Sequence, residues 1–141
     1  MRKLGRNGKR QQGFILQAIT GALPPGMRVL LVEDEPLILM HGESLLHSLG
    51  VAEVICARSL AEGFDALSAG TFDVAIIDLQ LGTETSLPLA QKLIELDIPF
   101  AILTGYQGAG IPRELQGRPV IPKPFVEAHL LQALSELVQP R

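Results

Sequence analysis

The sequence predicts an α/β domain, a parallel sheet with helices packed on both faces. Five short apolar runs recur along the chain: Val29-Leu30-Leu31-Val32, Val54-Ile55-Cys56-Ala57, Val74-Ala75-Ile76-Ile77, Phe100-Ala101-Ile102-Leu103 and Val120-Ile121-Pro122. Stretches with apolar residues at helical spacing separate them, and strand and helix in alternation indicate a parallel sheet. A length of 141 residues with 47% apolar content matches one domain that buries a real core.

Residues 1–26 read as a basic flexible arm. They hold Arg2, Lys3, Arg6, Lys9 and Arg10 and no acid, a charge of +5. The short apolar stretch Phe14-Ile15-Leu16-Gln17-Ala18-Ile19 is broken by Gln17 and Thr20 and lacks a small-x-small cleavage site, so a docking turn suits it better than a secretory signal. A start of translation at Met27 is the alternative. The domain proper is residues 27–141. Pro36 sits where a first helical turn tolerates proline, and Ile38, Leu45 and Leu49 give a helical stripe up to Gly50. Leu60, Phe64 and Leu67 form a second stripe ended by Gly70, and Leu89, Leu93 and Leu96 a third stopped before Pro99. Between Gly105 and Pro119, six glycines and prolines leave room only for a short helix around Arg113-Glu114-Leu115. Pro119 and Pro122 remove ladder donors, so the last strand belongs at a sheet edge. Pro124-Phe125 opens the final helix with its stripe Leu130, Leu134 and Leu137. Leu131 and Val138 widen that apolar face, which makes it either ordinary core or a partner surface.

Composition excludes several classes. No run approaches the roughly 18–20 apolar residues of a membrane helix. A single cysteine excludes an internal disulfide framework and suits a reducing cytoplasm; Cys56 reads as a small core residue. Beyond the arm the chain has 7 basic and 15 acidic residues, a net of −8, and such a body does not attract nucleic acid. His41, His47 and His129 lack metal-ligand spacing.

Four of the five runs end in reactive residues: Glu33-Asp34-Glu35, Asp78, Thr104 and Lys123. In an open parallel sheet these lie at one carboxyl edge, where ligand sites form. Singly each has a dull reading, as helix-terminal acids, a loop cap, a strand end or a surface charge; four together at successive strand ends do not. Glu33, Asp34 and Asp78 held close would repel, and a divalent cation with hard oxygen ligands, Mg²⁺, is the natural remedy. Asp78 alone follows its strand without opening a helix and is the expected nucleophile, a carboxylate able to form an acyl phosphate. Lys123 would pair with a phosphoryl oxygen or with the free carboxylate, and Thr104 would donate its hydroxyl to another oxygen.

The segments Leu31-Val32-Glu33-Asp34-Glu35-Pro36, Ile77-Asp78-Leu79, Leu103-Thr104-Gly105 and Lys123-Pro124-Phe125 resemble the signature of the receiver domain of bacterial two-component response regulators, over about residues 28–141. The resemblance implies a flavodoxin-like (βα)5 doubly wound sheet of strand order 2-1-3-4-5. It implies that Glu33, Asp34, Asp78 and the Gln80 backbone carbonyl hold Mg²⁺, that Asp78 accepts the phosphoryl group, and that the Lys123–Pro124 bond is cis. Phe100-Ala101-Ile102-Leu103-Thr104-Gly105-Tyr106, with Asp78-Leu79-Gln80-Leu81-Gly82 and Glu84-Thr85-Ser86, is similar to the alphaproteobacterial "FAT GUY" subgroup, which often stands alone; Leu103 replaces its usual alanine. Many receivers carry an aromatic switch where this chain has Val120, and Tyr106 is the substitute.

The expectation is a cytoplasmic single-domain response regulator that takes a phosphoryl group from a sensor histidine kinase. It would catalyse only its own phosphorylation and dephosphorylation. The chain stops at Arg141, just after the last helix, so output would be protein–protein contact, onward transfer to a phosphotransfer protein, or draining of phosphate; a homodimer is left open. A receiver that has lost phosphorylation and only binds partners is a further reading. A haloacid-dehalogenase-type phosphatase would want an aspartate where Gln80 stands, and a flavin phosphate would meet Glu33, Asp34 and Glu35.

Overall fold

Alternation along the strands explains why both faces of the sheet are covered. In the first strand, β1 (Arg28–Val32), Val29 and Leu31 point into one core cluster while Leu30 and Val32 point into another. The same split recurs in β3 (Val74–Asp78), with Val74 and Ile76 against Ala75 and Ile77, and in β6 (Phe100–Thr104), with Ala101 and Leu103 against Phe100 and Ile102. The structure, a computed structural model, describes residues 23–105 and 110–138. Residues 1–22 of the basic arm and Tyr106 lie outside the described residues.

In chain order the elements are β1, α1 (Pro36–Ser48), β2 (Glu53–Ala57), α2 (Leu60–Ala69), β3, β4 (Gln80–Leu81), β5 (Glu84–Thr85), α3 (Leu87–Glu95), β6, a 3₁₀ turn (Arg113–Leu115), β7 (Val120–Pro122) and α4 (Glu127–Leu137). The five long strands pair in parallel in the order β2-β1-β3-β6-β7. With the antiparallel β4–β5 hairpin set aside, this is the order 2-1-3-4-5. Val29, Leu31 and their equivalents pack under α1 and α4 through Leu39, Leu46, Leu130 and Leu134. The opposite cluster packs under α2 and α3 through Phe64, Leu67, Leu89 and Leu93.

Local chemistry sets the ends. Pro36 occupies the first turn of α1, and Leu39 N–H donates to Glu35 O at 3.0 Å. Ser59 Oγ accepts from Glu62 N–H at 3.1 Å, capping α2. His129 Nδ1 accepts from Val126 N–H at 3.1 Å at the head of α4, a capping role for that histidine. Leu115 of the 3₁₀ turn is fully buried and pins the connection between β6 and β7. The proline-bearing β7 lies at the sheet edge, bonded to β6 alone.

Two helix stripes differ from the sequence reading. On α1 the inward residues are Leu39, Gly42 and Leu46, with Ile38 and Leu45 at the margin. The runs Leu37-Ile38-Leu39-Met40 and Leu45-Leu46 leave the stripe ambiguous by one residue, about 100° of rotation. Packing resolves it, because Gly42 faces Leu31 and Phe125 at close quarters: a Cβ there would stand 3.0 Å from Leu31 Cδ2, so Leu31 would have to give way. On α3, Leu96 is exposed because the helix stops at Glu95 and Leu96 is its C-terminal cap. Leu131 and Val138 of the last helix pack partly against the core. Leu23 is also buried, and its N–H donates to Leu49 O at 3.1 Å. Among the described residues no helix is long and apolar enough to cross a membrane.

Candidate functional site

The parallel register brings the reactive strand ends together. Val32 pairs with Ile77, so Glu33 and Asp78 leave adjacent strands side by side. Asp78 pairs with Leu103, and Thr104 pairs with Pro122, with Lys123 N–H donating to Thr104 O at 2.8 Å. Thus one carboxyl edge gathers Glu33, Asp34, Asp78, Thr104 and Lys123 from four strands.

Three carboxylates form the floor. Glu33, Asp34 and Asp78 each offer an oxygen within 4.8 Å of the others. The Lys123 ammonium lies over two of them, donating to Asp78 Oδ2 at 2.6 Å and to Glu33 Oε1 at 3.1 Å. Glu33 is fully buried, Asp78 nearly so, and the Lys123 side chain is 17% exposed. Backbone donors complete the set: Glu35 N–H to Glu33 Oε2 at 3.2 Å, Gln80 N–H to Asp78 Oδ1 at 3.0 Å, and Gly82 N–H to Asp34 Oδ2 at 3.1 Å. Thr104 is buried at the end of β6. The Lys123–Pro124 peptide is cis.

The electrostatics follow from crowding. Burial, and then the neighbouring Asp78 charge, push the Glu33 carboxyl up to about 7, against the opposing pull of Glu35 N–H and Lys123. Burial works against the Lys123 charge, yet its bonds to Asp78 and Glu33 and their charges raise it above the ordinary lysine value. One ammonium therefore stands against three carboxylates. This donor set, all oxygen and under-neutralised, fits a hard divalent cation.

Beside the site, a cleft of about 490 Å³ is lined by Glu35, Leu37, Ile38, His41, Lys123, Pro124 and Phe125. His41 stacks on Phe125 with ring centroids 5.3 Å apart and lies 3.3 Å from Phe125 O through Nε2. Cys56 is only half-buried, and burial pushes its thiol up to about 11.

Sequence reasoning missed the hairpin formed by β4 and β5, and with it the Gly82 N–H that reaches Asp34. Leu81 pairs with Glu84, and Gly82 opens the two-residue turn at φ +63°. That glycine between short runs was the available signal, since glycine at the first turn position marks a type II′ hairpin.

The comparisons with known proteins agree with this geometry. SdrG from Sphingomonas melonis Fr1 superposes with a TM-score of 0.69 at 34% identity, covering 81% of this chain and 98% of that one. The receiver domain of the sensor histidine kinase PA1611 from Pseudomonas aeruginosa PAO1, which has a magnesium ion coordinated in its active-site cleft, superposes at 0.70 and 25% identity, covering 80% and 98%. The sensory transduction protein LytR of Staphylococcus saprophyticus is 31% identical over 117 residues, 80% of this chain and 46% of that protein. The chain spans just under half the length of the curated relatives it matches. A doubly wound sheet, an acidic cluster at its carboxyl edge and a lysine laid across it therefore have a common explanation: over residues 29–135 the chain matches the response regulator receiver domain, and it belongs to that family.

Proposed function

We propose that Asp78 accepts a phosphoryl group from a sensor histidine kinase in the cytoplasm, and that Glu33, Asp34, Asp78 and the Gln80 backbone carbonyl hold Mg²⁺. The observation that carries this reading is the Lys123 ammonium bridging Glu33 and Asp78 from the end of a strand not adjacent to theirs. A carboxylate oxygen of Asp78 attacks the phosphorus of a phosphohistidine, the N–P bond breaks, and the imidazole nitrogen keeps the electron pair. Bound Mg²⁺ would supply positive charge to the carboxylates and to one phosphoryl oxygen. Lys123 moves its ammonium from the Asp78 oxygen to a second phosphoryl oxygen, and the Thr104 hydroxyl donates to the third.

The added charge then draws Thr104 toward the acceptor and reorders the segment that follows it, with Tyr106 as the switch residue. The motif around Thr104 and the likeness to SdrG support membership of the "FAT GUY" subgroup. That SdrG has a BeF3-activated conformation supports activation by a phosphoryl-like group here also. Output is contact with another protein or onward transfer to a phosphotransfer protein.

Incubation with Mg²⁺ and a small acyl-phosphate donor, followed by intact mass measurement, tests the reading. The expected result is a gain of one phosphoryl group that Asp78→Asn abolishes. No gain, or an equal gain in the variant, refutes it.

A further inference from the structure

Two backbone N–H groups of one hairpin reach two different carboxylates of the site. Gln80 N–H donates to Asp78 Oδ1 and Gly82 N–H to Asp34 Oδ2. One donor is on β4 and the other opens the turn that follows it, so a single hairpin presents both to the cluster. The hairpin is itself held in three ways. Leu81 is buried in the core, Ser86 N–H donates to Leu79 O at 2.9 Å across its base, and Gln80 Nε2 donates to Gly82 O at 2.9 Å across its turn.

We infer that the β4–β5 hairpin is a positioning element for Asp34, which acts through the Gly82 N–H and is locked by the Gln80 side chain. The inference rests on the cation-site reading given above. Gly82 engages Oδ2 of Asp34 and so restricts the rotation of a carboxylate that offers an oxygen within 4.8 Å of those of Glu33 and Asp78. Hydrogen bonds that orient a ligating group in this way are worth about 10–100-fold in metal affinity. The hairpin that carries this N–H closes through the left-handed backbone at Gly82, φ +63°, the first position of its two-residue turn, so a residue that avoids positive φ disturbs the turn.

The test uses the full chain and Mg²⁺ itself. A Cβ at position 82 would meet nothing within 4 Å, so substitutions act through backbone conformation and not through bulk. Gly82→Val, a β-branched residue that rarely adopts positive φ, is expected to weaken Mg²⁺ binding by calorimetry about tenfold or more. Gly82→Asn, which tolerates the left-handed region, is expected to stay within about threefold of wild type. Gln80→Ala, which keeps the backbone carbonyl, is expected to fall between them. Urea unfolding in EDTA confirms that each variant is folded. Unchanged affinity in Gly82→Val beside a large loss in Asp34→Asn overturns the hairpin's role alone. Wild-type protein that binds no Mg²⁺, or Asp34→Asn that binds like wild type, overturns the cation-site reading and this inference with it.

Discussion

Replacing Glu33 by glutamine keeps the shape of a fully buried side chain and removes its charge. In the metal-free protein, burial and then the Asp78 charge raise the Glu33 carboxyl from 4.5 to about 7. Between those two values the folded state holds a proton that the unfolded state has lost, so stability falls as pH rises through this window. The favourable contribution is complete below the unfolded value and is gone once pH passes the folded one. At about 1.4 kcal/mol per unit, the loss approaches about 3 kcal/mol by pH 8. Glutamine has no such titration. Lys123 keeps its 2.6 Å bond to Asp78 in the variant, so the loss of its Glu33 partner shifts the whole curve without giving it a slope. Urea unfolding in EDTA at pH 5, 6, 7 and 8 should therefore show Glu33→Gln gaining on wild type by about 2.5 kcal/mol, mostly between pH 5 and 7 and levelling off by pH 8. Excess Mg²⁺ should close the gap at pH 8, because the cation compensates the wild-type carboxylate. Parallel pH profiles for the two proteins in EDTA would refute the account of Glu33 as a charge held against its surroundings.

Further outcomes follow from the same geometry. Lys123→Met leaves three crowded carboxylates without their cation and should destabilise the metal-free protein by about 3 kcal/mol in urea, partly recovered by Mg²⁺. Because Glu33 must lose its proton to bind a metal, Mg²⁺ binding near pH 7 should release about half a proton, read as a dependence of calorimetric heat on buffer ionisation that vanishes above pH 8. Gly42→Val would press on Leu31 and Phe125, costing about 1–3 kcal/mol in urea and slowing acyl-phosphate labelling of Asp78 by displacing the turn that carries Lys123. Leu115→Ala should cost about 2–5 kcal/mol in thermal or urea unfolding, since that fully buried side chain pins the segment between β6 and β7.

Much of this was legible because parallel sheets write their topology into sequence. Strands buried on both faces appear as short apolar runs, and the residue after each run falls at the carboxyl edge. That is why Glu33, Asp78, Thr104 and Lys123 could be grouped before any coordinates. Pro119 and Pro122 likewise marked β7 as an edge strand, and the glycines and prolines after β6 left only the 3₁₀ turn at Arg113–Leu115. What could not be read depends on contacts distant in sequence. The rotation of α1 is decided by Phe125 meeting Gly42, more than eighty positions away. Two-residue strands such as β4 and β5 are too short for any periodicity to reveal them. The Glu33 shift depends on complete burial and on the distance to Asp78, neither of which composition encodes.

The cluster is best understood as an anionic site whose counter-charges are interchangeable. Three carboxylates face one ammonium, and the most deeply buried, Glu33, makes up part of the deficit by holding a proton near neutrality. A divalent cation held there, as proposed, would do the same work with more charge, so proton and metal should compete. Lys123 differs from both in being covalently part of the chain: its ammonium is held by Asp78 and Glu33 while its backbone N–H is tied to Thr104 O. Its ammonium neutralises Asp78 Oδ2. Transfer to Asp78 would remove one carboxylate charge and add phosphoryl oxygens further from the floor, and a long side chain anchored at its base can follow that displacement. Thr104 shares this anchor, because its carbonyl holds the Lys123 N–H. Movement of either residue toward a modified Asp78 therefore pulls on the same junction of β6 and β7. The lysine countercharge and the mechanical coupling thus meet at one pair of strand ends, beside the carboxylates carried by β1 and β3.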